Sequence, residues 1–345
     1  MKKLSAFVIL LAAASCADKE AAPPRAYTQA DATVFPADRS LMRSEDGFAH
    51  PDGRIIVADQ AHGLRAIAPD GTSAPFGGFA EAGYAHAPSV RPAGPNGVTL
   101  ERDRAHALIA DIYTGAIWRV SLAAETVTLI HQHEYGANSI ERDASGALWF
   151  TQSTENAAGP DSEARLFAAI DRPIPDGALF RLAPPAAPVK AIDGLLFANG
   201  VAIDDERGVL YVAETMGDRI LGFDLDSATG ELTNRRVVAT VLTPDNLKLD
   251  EKGLLWVASP IRNEVLIVDP DSGETRSFFR AATPENDLAS AEWSRRAEAA
   301  EPRLDLMSPA QWAPLPGLLT SVILTPGDGT VYLVGLGDAL LKLER

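Results

Sequence analysis

Cysteine is nearly absent from this chain of 345 residues, which carries only Cys16. That excludes an intrachain disulfide framework and any zinc module built on paired cysteines. Cations are also scarce: Lys and Arg number 31 against 47 Asp and Glu, a net charge of −16. Nucleic-acid binding needs clustered cations to displace counterions, and no dense basic stripe with interleaved aromatics occurs, so a polyanion partner is excluded. Long apolar runs are missing too. Leu4 to Ala14 is 11 residues long, too short to span a bilayer, and no second run reaches that length. The chain lacks a Gly-x-Ser-x-Gly nucleophile elbow. Gly335-Leu336-Gly337 has neither the third glycine nor the following helix of a dinucleotide site. The stretch from Asp224 to Glu231 does not have the ligand spacing of an EF-hand and reads as a turn between strands.

The short apolar run has a different use. Met1-Lys2-Lys3 is a basic start, and Ala13, Ala14 and Ser15 are small residues directly before Cys16. Residues 1–15 fit a secretory signal peptide. The junction resembles a bacterial lipoprotein cleavage site, with Ala13 standing where that pattern usually has Leu. The resemblance implies lipidation of Cys16, a flexible tether over 16–30, and a protein held in the cell envelope facing the periplasm. Its membrane contact is then through the lipid alone. The expected folded unit covers 31–345 and is a monomer.

What the chain has in abundance is a repeat. An apolar stretch, an acidic turn with glycine and a hydrophobic strand recur together. They appear as SEDGFAHPDGRIIVAD (44–59), PNGVTLERDRAHALIAD (95–111) and ANSIERDASGALWFTQ (137–152). They recur as ANGVAIDDERGVLYVAE (198–214), PDNLKLDEKGLLWVAS (244–259) and TSVILTPGDGTVYLVG (320–335). Each copy reads as two short antiparallel strands around a Gly/Asp turn. A third strand such as ALFRLAP or EVLIVDP follows, then a fourth such as ETRSFFR. Stretches with helical period are scarce, which sets aside an α+β fold. Six copies of about four strands predict an all-β, six-bladed β-propeller with four-stranded blades around a central channel. YTQADATVFP near the N-terminus is expected to close the ring against the last blade.

Aligning the copies on their hydrophobic strand exposes a polar slot. Asn138 lies 11 residues before Trp149, Asn199 12 before Tyr211, Asp245 11 before Trp256 and Ser321 11 before Tyr332. Glu45 and Asn96 lie 12 before Val57 and Leu108. Equivalent positions in a propeller are related by rotation, so these side chains are expected at one mouth of the channel. Unpaired, each buried polar group costs roughly 1–3 kcal/mol, and charges cost more. A hard cation satisfies them: Ca²⁺ takes about 6–8 oxygens from carboxylates, amides and water. The slot holds no Cys or His, which disfavours zinc and copper. The alternative is a solvated polar channel with no metal.

FANGVAIDDERGVLYVAETMGDRILGFDLD followed by PDNLKLDEKGLLWVAS resembles the senescence-marker-protein/gluconolactonase family. It is also similar to its relatives, the paraoxonases and the strictosidine-synthase-like proteins. The resemblance covers about residues 40–345. It implies a propeller with calcium, or another divalent cation, on its axis. Glu45, Asn199 and Asp245 match the family's metal ligands, and Asn138 a position that binds metal or lies beside substrate. The Asp245-Asn246 pair resembles the paraoxonases, where both residues contact calcium. Asn96 stands where paraoxonases have a His, so their His dyad does not carry over. The stretch after Trp149 is closer to the strictosidine-synthase-like branch, not all of whose members hydrolyse lactones with calcium.

The implied activity is hydrolysis of a small-molecule lactone or related ester. Asp245 and Asn138 are the catalytic candidates, with Asp245 as general base beside the metal. Asn96 and Asn246 are expected to bind substrate. The alternative is a non-catalytic propeller that binds a ligand or an envelope protein, since fold alone does not decide function. Insertions at 154–178 and 281–314 contain helix-like stretches (SEARLFAAI; DLASAEWSRRAEAA) and are expected to form a lid, with Trp293 and Trp312 as candidate pocket walls. His131 and His133 share a strand face and read as a solvated edge. His62 and His86 lie in loops near the first blades.

Overall fold

The chain is described by a computed structural model over residues 25–345, apart from 89, 91, 327 and 328. The signal-peptide reading of residues 1–15 and the lipidation of Cys16 lie outside the described residues.

Each repeat folds as one antiparallel four-stranded sheet, and the described residues form six of them. Blade three shows how the sequence dictates the hairpin. Its inner strands, Ile140–Arg142 and Leu148–Gln152, flank the turn Asp143-Ala144-Ser145-Gly146. Asp143 Oδ1 accepts from the amides of Ser145 and Ala147 at 2.9 and 3.0 Å, and Oδ2 accepts from Trp149 Nε1 at 2.8 Å. Gly146 supplies the left-handed residue at φ +91° that lets the chain reverse. Blade five repeats the device with Asp250, Trp256 and Gly253. The recurring acidic turn is thus a carboxylate that satisfies the turn's amides and pins the indole of the next strand.

The second strand of several blades is buried at every position, as in Ile55–Asp59, Leu148–Gln152 and Leu255–Ser259. Each is covered on both faces by neighbouring blades, which is why these strands read as continuous apolar runs. The outer strand Thr126–Gln132 is largely exposed. The ring closes as expected: Ala32–Phe35 pairs antiparallel with Leu340–Glu344, so the last blade joins one N-terminal strand to three C-terminal ones.

Neighbouring blades meet closely at their innermost strands. A Cβ on Gly97 would lie 2.6 Å from Ser139 Cα, and one on Gly200 would lie 2.5 Å from Leu247 N. Glycine immediately after the polar slot therefore lets adjacent strands touch backbone to backbone. The Gly97 amide donates to Asn138 O at 2.7 Å across that contact.

Both insertions are helical. Helix α1 spans Ser162–Asp171, and α2 spans Pro284–Ala299. Helix α2 starts with Thr283 accepting from the Asn286 amide and Pro284 in the first turn, and ends at Ala300 in the left-handed region. Both pack over one end of the ring in a cluster that includes Ile112, Leu166, Phe197, Ile261 and Trp293.

Candidate functional site

Under α1 lies a cavity of about 210 Å³ whose floor takes one residue from each blade: Glu45, Asn96, Asn138, Asn199, Asp245 and Thr320. Five of these were expected. The sixth corrects the sequence reading, which put Ser321 in the slot. Leu324 pairs with Val331, whereas its counterpart Arg142 pairs with Leu148, so the last blade's turn is one residue longer. Counting back 11 residues from Tyr332 therefore stops one short of Thr320. Ser321 sits one step down the channel, where its Oγ lies 2.6 Å from Asp46 Oδ1.

A one-way chain of donors orients the amides. Arg43 can only donate, and its Nη2 reaches Asn96 Oδ1 at 3.2 Å. Asn96 Nδ2 then donates to Asn138 Oδ1 at 2.9 Å, Asn138 Nδ2 to Ser153 Oγ at 2.8 Å, and Ser153 Oγ to Ala198 O at 2.8 Å. The guanidinium thus fixes which way both amides face, and Asn138 keeps one lone pair of its oxygen free. Asn199 Nδ2 donates to Thr215 Oγ1 at 3.1 Å, which turns its oxygen away from that hydroxyl.

The remaining acceptors lack partners. Glu45 Oε2, Asn199 Oδ1 and Asn246 Oδ1 are buried, and no hydrogen bond reaches them. Arg43 Nη2 stands 3.9 Å from Glu45 Oε2, too far for a hydrogen bond. Burial raises the Glu45 carboxyl from 4.5 to about 7, with Arg43 relieving part of the effect and Asp46 adding to it. Burial and then repulsion from Glu45 push Asp245 well above its ordinary value. Two carboxylates that burial disfavours as anions, with the unpartnered amide oxygen of Asn199, form an all-oxygen donor set on the floor. That set fits a hard divalent cation.

Directly below, the channel is crossed by a half-buried ion pair. Lys248 Nζ from blade five meets Asp46 Oδ2 at 2.7 Å and Val98 O at 3.2 Å. The same Asp46 oxygen accepts from the Val98 amide at 2.9 Å. Asp46 therefore has a hydrogen-bonded counter-charge, whereas Arg43 stands near Glu45 without a hydrogen bond.

Other expected residues fall elsewhere. Asn246 lies behind the cavity wall, its Nδ2 held by Asp245 Oδ1 at 3.4 Å and Thr320 O at 3.3 Å. Trp293 is not a pocket wall: it is fully buried under α2 with the Arg303 guanidinium 4.6 Å from its ring centre. Trp312 does not line the cavity either. His62 lies 2.7 Å from Asp59, and His133 lies 3.0 Å from Gln152, so both serve local structure. His86 Nδ1 accepts from the Ala93 amide. Sequence reasoning missed Arg43, Gln60, Tyr113 and Thr215, all of which line the cavity. Arg43 is only two residues before Glu45, but a lone arginine in no motif carries no signal.

Glu101, Asp103 and His106 also bring their ligand atoms together. Arg119 and Arg142 already pair with Glu101, and Arg119 reaches Asp103 as well, so this cluster is neutralised without an ion.

The model of the SMP-30/Gluconolactonase/LRE-like region matches residues 92–286, more than half of the chain. The chain belongs to this family. Regucalcin from Danio rerio is 33% identical over 103 residues, which is 29% of this chain and 35% of that protein. Regucalcin from Homo sapiens is 30% identical over 121 residues, 34% of this chain and 40% of the relative. The matched stretch thus spans little more than a third of these relatives. Among solved structures, a gluconolactonase from Xanthomonas campestris superposes with a TM-score of 0.60 at 19% identity, covering 91% of this chain and 89% of its own. Regucalcin from Agrobacterium tumefaciens, described as a calcium-binding protein, superposes with a TM-score of 0.62 at 14% identity, covering 93% and 95%. These superpositions establish the shared propeller.

Proposed function

We propose that the protein is a metal-dependent hydrolase of a lactone or related ester, with Ca²⁺ or another divalent cation held by Glu45, Asn199 and Asp245. The observation that carries this reading is the pair of unpartnered buried oxygens on the cavity floor, Glu45 Oε2 and Asn199 Oδ1, beside the buried carboxylate of Asp245. A cation there supplies Lewis-acid polarisation of the substrate carbonyl.

The chain's own residues do the rest. Glu45 and Asp245 contribute negative charge, while Asn199 and Asn138 present neutral oxygens whose orientation the donor chain from Arg43 fixes. Asp245 accepts a proton from the attacking water as general base. The water oxygen adds to the carbonyl carbon, the acyl C–O bond breaks, and Asp245 returns the proton to the leaving alkoxide oxygen, which releases a hydroxy acid from a lactone or an acid and an alcohol from an ester. Asn96 holds the substrate's neighbouring groups in place, Asn246 braces Asp245 from behind the wall, and α1 limits bulk water above the floor. The lipid anchor on Cys16 would place this chemistry at the envelope.

The test is turnover of a lactone and ester panel by chelator-stripped protein with and without added Ca²⁺. Metal-restored turnover that Asp245→Asn abolishes supports the reading. Ion binding with no turnover of any lactone or ester would leave a ligand-binding propeller.

A further inference from the structure

The walls above the floor differ in kind from the floor. Toward blades one and two the cavity is polar, with Arg43, Gln60 and Asn96. Glu163 of α1 and Thr215 also line it, but the remaining wall is largely apolar, with Ile112, Leu166, Ile170 and Phe197 facing the space. Leu166 and Ile170 come from one face of α1, which crosses the mouth, and Phe167 beside them on the lining is 41% exposed.

We infer that the substrate is a lactone or ester with an apolar substituent, bound with its carbonyl on the polar floor and its alkyl or aryl group along α1. This inference rests on the hydrolase reading above. A polyhydroxylated sugar lactone fits poorly. Each hydroxyl directed at Ile112, Leu166 or Phe197 would leave water and gain no hydrogen bond. An alkyl tail loses nothing there, and each methylene taken from water favours binding. The volume of about 210 Å³ is small for a ligand pocket, so the gain should stop after a short chain.

The experiment compares kcat/KM for unsubstituted δ-valerolactone, a series with tails of increasing length at the ring carbon bearing oxygen, and D-glucono-δ-lactone. At roughly 0.8 kcal/mol per buried methylene, kcat/KM should rise about fourfold per carbon until the cavity fills. The gluconolactone should be the poorest of the set. Phe167→Ser, at a half-exposed position that leaves the fold intact, should flatten that slope, as should Leu166→Gln. If gluconolactone is the best substrate and tails bring no gain, the apolar assignment is wrong while the hydrolase reading stands. If no lactone turns over, calorimetric titration with the matching alkyl lactams decides. Affinity that grows with tail length supports the apolar wall, and its absence overturns it.

Discussion

Replacing Glu45 with Gln should stabilise the ion-free protein and at the same time remove its response to calcium. The two carboxylates face each other in a site that desolvates both. In the folded chain Glu45 is raised from 4.5 to about 7, already net of the nearby Arg43. A raised acid is a stability cost above its unfolded value. Below pH 4.5 both states hold the proton and the cost is absent. Between 4.5 and about 7 the unfolded chain ionises first, so stability falls as pH rises. At pH 8 the full cost applies, about 3 kcal/mol at 1.36 kcal/mol per unit. Glu45→Gln keeps the shape and removes that charge. In chelator, urea unfolding at pH 8 should show the variant more stable than the parent by up to about 3 kcal/mol, shrinking toward zero at pH 4.5. With saturating Ca²⁺ the order should reverse, because only the parent gains binding energy. A variant that is less stable than the parent in chelator at pH 8, yet gains as much from calcium, would refute the reasoning.

Three further predictions test separate parts of the structure. Lys248→Met leaves the buried Asp46 without its counter-charge, held only by the Val98 amide and the Ser321 hydroxyl, which should cost about 1–3 kcal/mol in urea unfolding; the double variant with Asp46→Asn should recover much of it. Gly200→Ala drives a Cβ to within 2.6 Å of Asp245 O and should lower both stability, by about 1–3 kcal/mol, and calcium affinity, read by thermal melts with and without the ion. Arg43→Met frees the Asn96 and Asn138 amides to turn over; calcium affinity should fall several-fold with little change in far-UV circular dichroism.

The ring was readable because its grammar is local. An Asp/Gly turn between two short strands, with an indole following, states a hairpin, and repetition states the propeller. The slot was readable for the same reason, through Glu45, Asn96, Asn138, Asn199 and Asp245. It failed at Ser321 because the offset varies between 11 and 12 from blade to blade, and nothing in the sequence shows that the last blade's longer turn needs 12. Arg43 was not legible because its role depends on the hydrogen bond to Asn96 in the next blade, which no spacing encodes. Helix α1 was visible as a helix-like stretch. That Leu166 and Ile170 wall the cavity while Trp293 turns to Arg303 follows from how the helices dock, which composition does not specify.

The most direct measurement is calorimetric titration of Ca²⁺ into chelator-stripped full-length protein at pH 8, run beside Asp245→Asn and Glu101→Gln. The account predicts one ion per chain on the axial floor, retained in Glu101→Gln and lost in Asp245→Asn. No binding by the parent protein, or binding that survives Asp245→Asn and disappears in Glu101→Gln, would contradict an axial metal centre.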